Sequence, residues 1–516
     1  MTNLPFVDIA IIVVYLIAMV LVGFYFSRKN TSADQFTRAA GRIPGWAIGI
    51  SIYATFLSSN TFLGVPGKAF GGNWNAFVFS LSMPLAAWFA TRYFVPFYRS
   101  TGEVSAYTNL EKRFGTWART YAVTCFLLTQ LARIGSIFFG ISLTLQALTG
   151  YSLVTIMVIV GICIVIYTVM GGIEAVIWTE VVQGILKTLG AIIIIYLVVK
   201  EVPGGFNDIL KVGLSENKFS LGSTQLDLTT SSFWVVLLYG FFINLNNFGM
   251  DQNYVQRYHT ATSPNEANKS VWLCVWIYVP VSLLFFIIGT CLYTYYMQNP
   301  SLLNTIKLQA ASEQLGMGIN DQQVIRLAAR MIPSDYADKV MPHFMVHMIP
   351  TGLLGLIVSA ILSAAMSTIS SGMNASATVF TEDIYKRYFN RDSTEKNSLR
   401  VLYMATVVVG LAGMLCGIAM IGIKSLLDVW WTLSGIFAGG MLGLFLLGLI
   451  SKHATNRDAI TGTITGILVI LWMTFSYLIP PQYDYLKNPL HANMIIVVGT
   501  LSIFLAGNLS LKLRKK

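Results

Sequence analysis

The stretch "SIYATFLSSNTFLGVPGKAFGG", residues 51–72, starts and ends as a membrane-crossing apolar segment but is interrupted in its middle. Ser58, Ser59, Asn60 and Thr61 run together, and Gly64, Pro66 and Gly67 follow at once. Proline removes a backbone donor and glycine accepts almost any dihedral, so a helix unwinds readily there. Unwinding frees carbonyl oxygens at bilayer depth, where irregular backbone survives only beside protein, a cavity or an ion. A second interruption lies in "GFFINLNNFGMDQ", residues 240–252, with Asn244, Asn246, Asn247, Gly249 and Asp251 inside another apolar run. Two such breaks in corresponding halves of a membrane chain point to a secondary-transporter site. Kinked helices without a ligand are the plainer alternative.

Composition sets the environment. Of 516 residues, 55% are hydrophobic and only 11% charged, against about a quarter charged in soluble proteins. Runs of roughly 20 apolar residues, long enough to cross a bilayer, recur along the chain. They predict thirteen spans: 5–27, 44–71, 76–99, 119–148, 151–170, 175–199, 231–255, 268–297, 346–384, 399–423, 425–450, 460–480 and 490–511. No internal polar domain separates them, so residues 1–516 read as a single membrane domain. The longer intervening segments are 200–230 and 298–345; in the second, "DQQVIRLAARMI" predicts a short surface helix. The first apolar run has its positive charge behind it and lacks a clear cleavage site, which reads as a retained helix and not a signal peptide.

The net charge of +11 is explained by topology. With the N-terminus outside and the C-terminus cytoplasmic, 22 of the 34 Lys and Arg fall on the cytoplasmic side. These include Arg28, Lys29, Arg99, Lys112, Arg113, Lys386, Arg387 and the tail Lys512–Lys516. Nine fall outside, and Lys68, Arg133 and Lys187 lie within spans. The basic excess orients the chain and calls for no nucleic-acid partner. Five scattered cysteines without CxxC spacing read as small buried hydrophobes.

Polar side chains in hydrocarbon are costly and are functional hypotheses by default. In "SAAMSTISSGMNAS", residues 363–376, Ser363, Ser367, Ser370, Ser371 and Asn374 fall on one helical stripe. Close helix packing explains such a stripe; so does a site for a hard cation such as Na⁺, which neutral hydroxyls and carbonyls coordinate. Arg133 lies near mid-bilayer, too deep to snorkel. Its guanidinium calls either for an internal partner, Glu180 or Asp251, or for an anionic substrate group held bidentately. In "MGGIEAVIWTEVVQGILKTL", residues 170–189, Glu180, Gln183 and Lys187 share a face. A lone carboxylate there is either protonated or holds a cation; Lys187 is assigned no role. No Walker A loop, HExxH, GxSxG or Cys/His cluster is present, so the sequence reads as no enzyme.

"GGIEAVIWTEVVQG" (171–184) resembles the GG-x-x-A-V-x-W-T-D-x-x-Q signature of the sodium:solute symporter family. "QNYVQRY" (252–258) resembles the family's motif after its sixth helix, and "TLSGIFAGGMLGLFLLGLI" (432–450) its tenth. The resemblance implies an all-α, LeuT-type fold of 5+5 inverted repeats with about thirteen transmembrane helices. It divides the chain into a leading helix at 5–27, a first repeat at 44–199, an inverted repeat at 231–450 and two trailing helices at 460–511. It also implies a sodium site at the carbonyls of Ala54, Leu57 and Ala364 and the hydroxyls of Ser367 and Thr368. A second sodium site would use Ser370, Ser371 and an acidic residue of helix 5, usually Asp and here Glu180.

Arg133 falls where the bacterial sodium/sialic acid symporters carry the arginine that meets the sugar carboxylate, and "ATFLSSNTFLGVPGKAF" (54–70) resembles their first repeat helix. The resemblance therefore implies Na⁺-coupled import of a sialic acid such as N-acetylneuraminate by alternating access, in the bacterial inner membrane, by a carrier expected to act as a monomer. The substrate would meet Ser58, Asn60, Thr61, Ser80, Arg133, Asn244 and Asn247. A hexose, a monocarboxylate or an amino acid such as proline is the alternative cargo, and a membrane sensor the alternative class. One Na⁺ entering down ~100 mV gains about 2.3 kcal/mol, and a ~10-fold gradient adds about 1.4 kcal/mol.

Overall fold

A computed structural model describes residues 4–27, 32–423 and 426–515. Arg28, Lys29, Lys516 and the first residue of the expected span 425–450 lie outside the described residues. Described secondary structure is helical, with one isolated bridge between Ile43 and Ala261. The helices used below are α1 (Phe6–Ser27), α2 (Gly45–Phe56), α3 (Ser59–Gly71), α4 (Thr116–Thr149), α5 (Leu153–Val169), α6 (Gly171–Glu201), α7 (Phe233–Met250), α8 (Gln252–Thr260), α9 (Pro264–Gln298), α10 (Leu353–Val379), α11 (Glu395–Ala419), α12 (Leu426–Ile450), α13 (Asn456–Phe475) and α14 (Met494–Lys515).

Among the described residues, ten helices are long and apolar enough to cross a membrane, or eleven with α2 and α3 taken as one bent span. The two further spans expected from sequence fall on α5, which is shorter, and on residues 74–101, which break into short 3₁₀, α and π pieces. Pro84 and Pro96 in that segment each remove a backbone donor, in keeping with its segmentation. The segment 322–330 forms the short helix expected between spans.

Burial ranks the helices. The most apolar window of α1 is only 22% buried and faces outward, whereas that of the serine-rich helix α10 with its extension to Phe389 is 89% buried. α10 is therefore the central column, packed against α2, α4, α6, α8 and α11. Its serines lie at the centre of the protein, away from lipid. At its start, the buried Asp8 carboxylate of α1 accepts from the Gly352 and Gly355 amides, both at 2.7 Å. An anion there satisfies free amides and opposes the helix dipole, tying α1 to α10.

Candidate functional site

The interruption at 51–72 is a break between α2 and α3. Leu57 and Ser58 take extended dihedrals (φ −87°, ψ 90° and φ −96°, ψ 175°), and the two helices bend by 56°. In an unbroken helix the Ala54 and Thr55 carbonyls would accept from amides four residues on. Here both face side chains of other helices. Thr368 donates to Thr55 O at 3.2 Å and Ser367 to Ala54 O at 3.2 Å. Each also donates back to Ala364 O of its own helix at 3.3 Å. The five expected sodium ligands, Ala54, Leu57, Ala364, Ser367 and Thr368, thus converge where α2 meets α10, and all are buried.

A side chain of α6 fills this cage. The Lys187 Nζ donates to Ala54 O at 2.7 Å, Leu57 O at 3.0 Å and Ser367 Oγ at 2.5 Å. An ammonium has three donors, and all three are used on oxygens expected to hold sodium. Lys187 is fully buried.

Glu180, two turns earlier on α6, has a different partner. Its Oε2 accepts from Arg257 Nη2 at 2.7 Å and from Ser51; its Oε1 accepts from Thr55 Oγ1 at 3.2 Å and from Ser371. Arg257 Nε donates to Ser51 Oγ at 2.8 Å, and its Nη2 also donates to Ser371 Oγ at 2.7 Å and Thr55 Oγ1 at 3.0 Å. Arg257 is 1% exposed and Glu180 0%. Glu180 and Ser371, expected to hold a second sodium, therefore surround a guanidinium. Ser370 is not part of this cluster; it donates to Ser367 O of α10 at 3.1 Å.

Beyond the break a narrow cavity of ≈ 80 Å³ lies beside Arg133. Six of the seven expected substrate residues line it: Ser58, Asn60, Thr61, Ser80, Arg133 and Asn247. Asn244 instead donates to Ser82 Oγ at 3.2 Å and Phe79 O at 3.4 Å, bracing residues 74–101. Trp430, Trp431, Phe79 and Tyr278 give the cavity aromatic walls that the sequence did not single out.

Arg133 is held on one side and faces the cavity on the other. Its Nη2 donates to Thr55 O and to the Tyr254 hydroxyl, both at 3.2 Å, and its guanidinium lies 5.7 Å from the Trp430 ring centre. Asp251 is its anionic neighbour at 3.7 Å, a separation too long for a hydrogen bond. Asp251 caps α8 at the second break, where its Oδ1 accepts from the Asn253 amide at 2.8 Å. Both partners weighed from sequence are resolved by this arrangement: Asp251 is near Arg133, and Glu180 belongs to Arg257. Asn60 donates to Ser136 Oγ at 3.0 Å while its Oδ1 is buried without a hydrogen-bond partner.

Sequence reading missed Lys187 and Arg257. Lys187 carried a signal, being a lysine in mid-span on the face of Glu180; Arg257 sat in "QNYVQRY" but outside the expected span 231–255. Near the cavity mouth, Lys68 of α3 pairs with Asp428 of α12 at 2.6 Å. In the segment 202–232, Lys218 donates to the Phe70 and Gly72 carbonyls at 2.7 and 2.9 Å, and burial draws its ammonium down to about 8. A cation there complements the C-terminal end of α3.

The model of the sodium:solute symporter family matches residues 36–466. The chain is 32% identical to a sodium/sialic acid symporter of Proteus mirabilis over 509 residues, covering 98% of this chain and 95% of the relative. It is 31% identical to a sodium/sialic acid symporter of Aliivibrio fischeri, covering 96% and 91%. The solved structure of a Na⁺-coupled sialic acid symporter in a substrate-bound outward-open state superposes with a TM-score of 0.85 at 30% identity, over 99% of this chain and 98% of the other. The fold is of the LeuT type, in a multi-pass membrane protein that is a transporter and not an enzyme. By its matched length, its motifs and its relatives, the chain belongs to the sodium:solute symporter family.

Proposed function

We propose that this protein is a Na⁺-coupled symporter that imports a sialic acid, N-acetylneuraminate or a close relative, by alternating access. The observation that carries the substrate class is Arg133, a buried guanidinium on the wall of a cavity lined by both polar and aromatic side chains. Its fork suits a carboxylate. Ser58, Thr61, Ser80, Asn247 and the unpartnered Asn60 Oδ1 suit the hydroxyls and amide of an acidic sugar. Tryptophan and tyrosine walls provide apolar faces for its ring.

The coupling ion is read from the family and from the oxygens gathered between α2 and α10. The carrier sits in a bacterial inner membrane with its N-terminus outside, the orientation that places most basic residues in the cytoplasm. The carrier is read as a monomer. The repeat boundaries 44–199 and 231–450 follow the two breaks, at Leu57–Ser58 and at Asp251.

The test is uptake of labelled N-acetylneuraminate into proteoliposomes under an inward Na⁺ gradient, with K⁺ as control, for the native chain and Arg133→Ala. Na⁺-dependent uptake lost in the variant supports cargo, ion and arginine together. Na⁺-dependent uptake of a monocarboxylate or hexose, with sialic acid ignored, would replace the cargo and keep the carrier.

A further inference from the structure

We infer that Lys187 is a tethered cation that takes the place of sodium in the cage between α2 and α10, so that sodium enters only by displacing the lysine. The inference rests on the symporter reading above and concerns the ion site alone. Three observations carry it, and the first is position. The Lys187 Nζ contacts Ala54 O, Leu57 O and Ser367 Oγ, three of the five groups that the family resemblance assigns to sodium.

The second is charge. The oxygens that Lys187 meets are neutral. Glu180, on the same helix, pairs with Arg257 at 2.7 Å. An ammonium and a sodium ion each bring one positive charge to the cage, so exchanging one for the other leaves the local charge unchanged. Both together would set two cations a few ångströms apart in a buried site, where repulsion is strong.

The third is the break itself. Ala54 O and Leu57 O are free to coordinate because α2 and α3 separate at Leu57–Ser58. A lysine reaching from α6 to both α2 and α10 braces the same helices that a bound sodium would brace. The adjoining Arg257 cluster fills the second expected site with a guanidinium, which leaves the Lys187 cage as the place where ion occupancy is decided.

The experiment is equilibrium binding of radiolabelled sodium to the purified chain without any solute, comparing native protein with Lys187→Met and with Lys187→Met/Ser367→Ala. Expected is weak sodium binding by the native chain, and at least about tenfold tighter binding by Lys187→Met, a change of ~1.4 kcal/mol. Loss of that gain on adding Ser367→Ala locates it in the cage. Sodium binding by Lys187→Met with none by the native chain supports the inference and overturns sodium as the native coupling ion, so the two readings fail separately. Equal binding by native and Lys187→Met, or none by either, overturns the inference. Should Lys187→Met not fold, Lys187→Gln decides by the same comparison: sodium binding tighter than native and lost on adding Ser367→Ala supports the inference, and binding equal to native overturns it.

Discussion

Lys187 and Arg257 both bring a positive charge to the serine-rich column α10, and their surroundings differ. Arg257 is matched by a carboxylate: Glu180 Oε2 lies 2.7 Å from its Nη2, and Ser51, Thr55 and Ser371 complete the shell. Lys187 is matched by two carbonyls and one hydroxyl. The first arrangement is a neutral unit, in which removing either partner strands a buried charge. The second is a cation in a neutral cage, where any small cation satisfies the same oxygens. The family's oxygen-rich core thus holds one charge pair that locks α2, α6, α8 and α10 together, and one occupant that can be exchanged.

The contrast breaks most sharply at Glu180. Glu180→Gln leaves Arg257 buried without its anion, and stability should fall by about 3–5 kcal/mol. Detergent-solubilised protein should then melt far earlier or fail to purify, with no rescue by sodium. A melting point close to native would mean that Arg257 is not held by this pair.

Arg133 tests the cavity side. Removing a buried charged contact typically costs about 2–5 kcal/mol. Arg133→Ala should therefore raise the apparent KM for N-acetylneuraminate about 30-fold or more, since each 1.4 kcal/mol is a factor of ten. Arg133→Lys should recover little, because a point charge lacks the two-pronged fork. Full transport by the alanine variant would remove the carboxylate from the recognition scheme.

Lys187→Met should cost less than Glu180→Gln, about 1–3 kcal/mol for acceptors left unsatisfied. Unlike the Glu180 variant, it should be restabilised by sodium, by about 2.7 kcal/mol at a hundred times the dissociation constant. A sodium-dependent melting shift in Lys187→Met and its absence in Glu180→Gln would sharpen the comparison. The smallest effect belongs to Lys68–Asp428, whose side chains are 35% and 53% exposed. Lys68→Ala should change stability by no more than about 0.2–1 kcal/mol, and a large loss of uptake without loss of stability would point to the cavity mouth.

Much of this was legible beforehand for a simple reason. A bilayer makes every unpaired backbone group and every polar side chain expensive, so interruptions such as 58–61 and the stripe Ser363–Asn374 stand out against the apolar background. They located both breaks and the central helix, and the resemblance to the family added the set of residues of which six line the cavity. Residues 74–101 were less legible: an apolar stretch of spanning length gives no sign that it will divide into short pieces. Asn244 lies off the cavity lining, because a helix has several faces and sequence spacing does not say which meets the cavity.

By itself, the sequence determined the membrane class, the two broken helices and the family, because these depend on local composition and on motifs contiguous in the chain. Only the tertiary structure decided which charge meets which oxygen. Lys187 and Ser367 are 180 residues apart, and Arg257 and Glu180 are 77 apart. Their pairing follows from how α6 and α8 cross α10, and a side chain as long as lysine or arginine reaches partners that no spacing along the chain records.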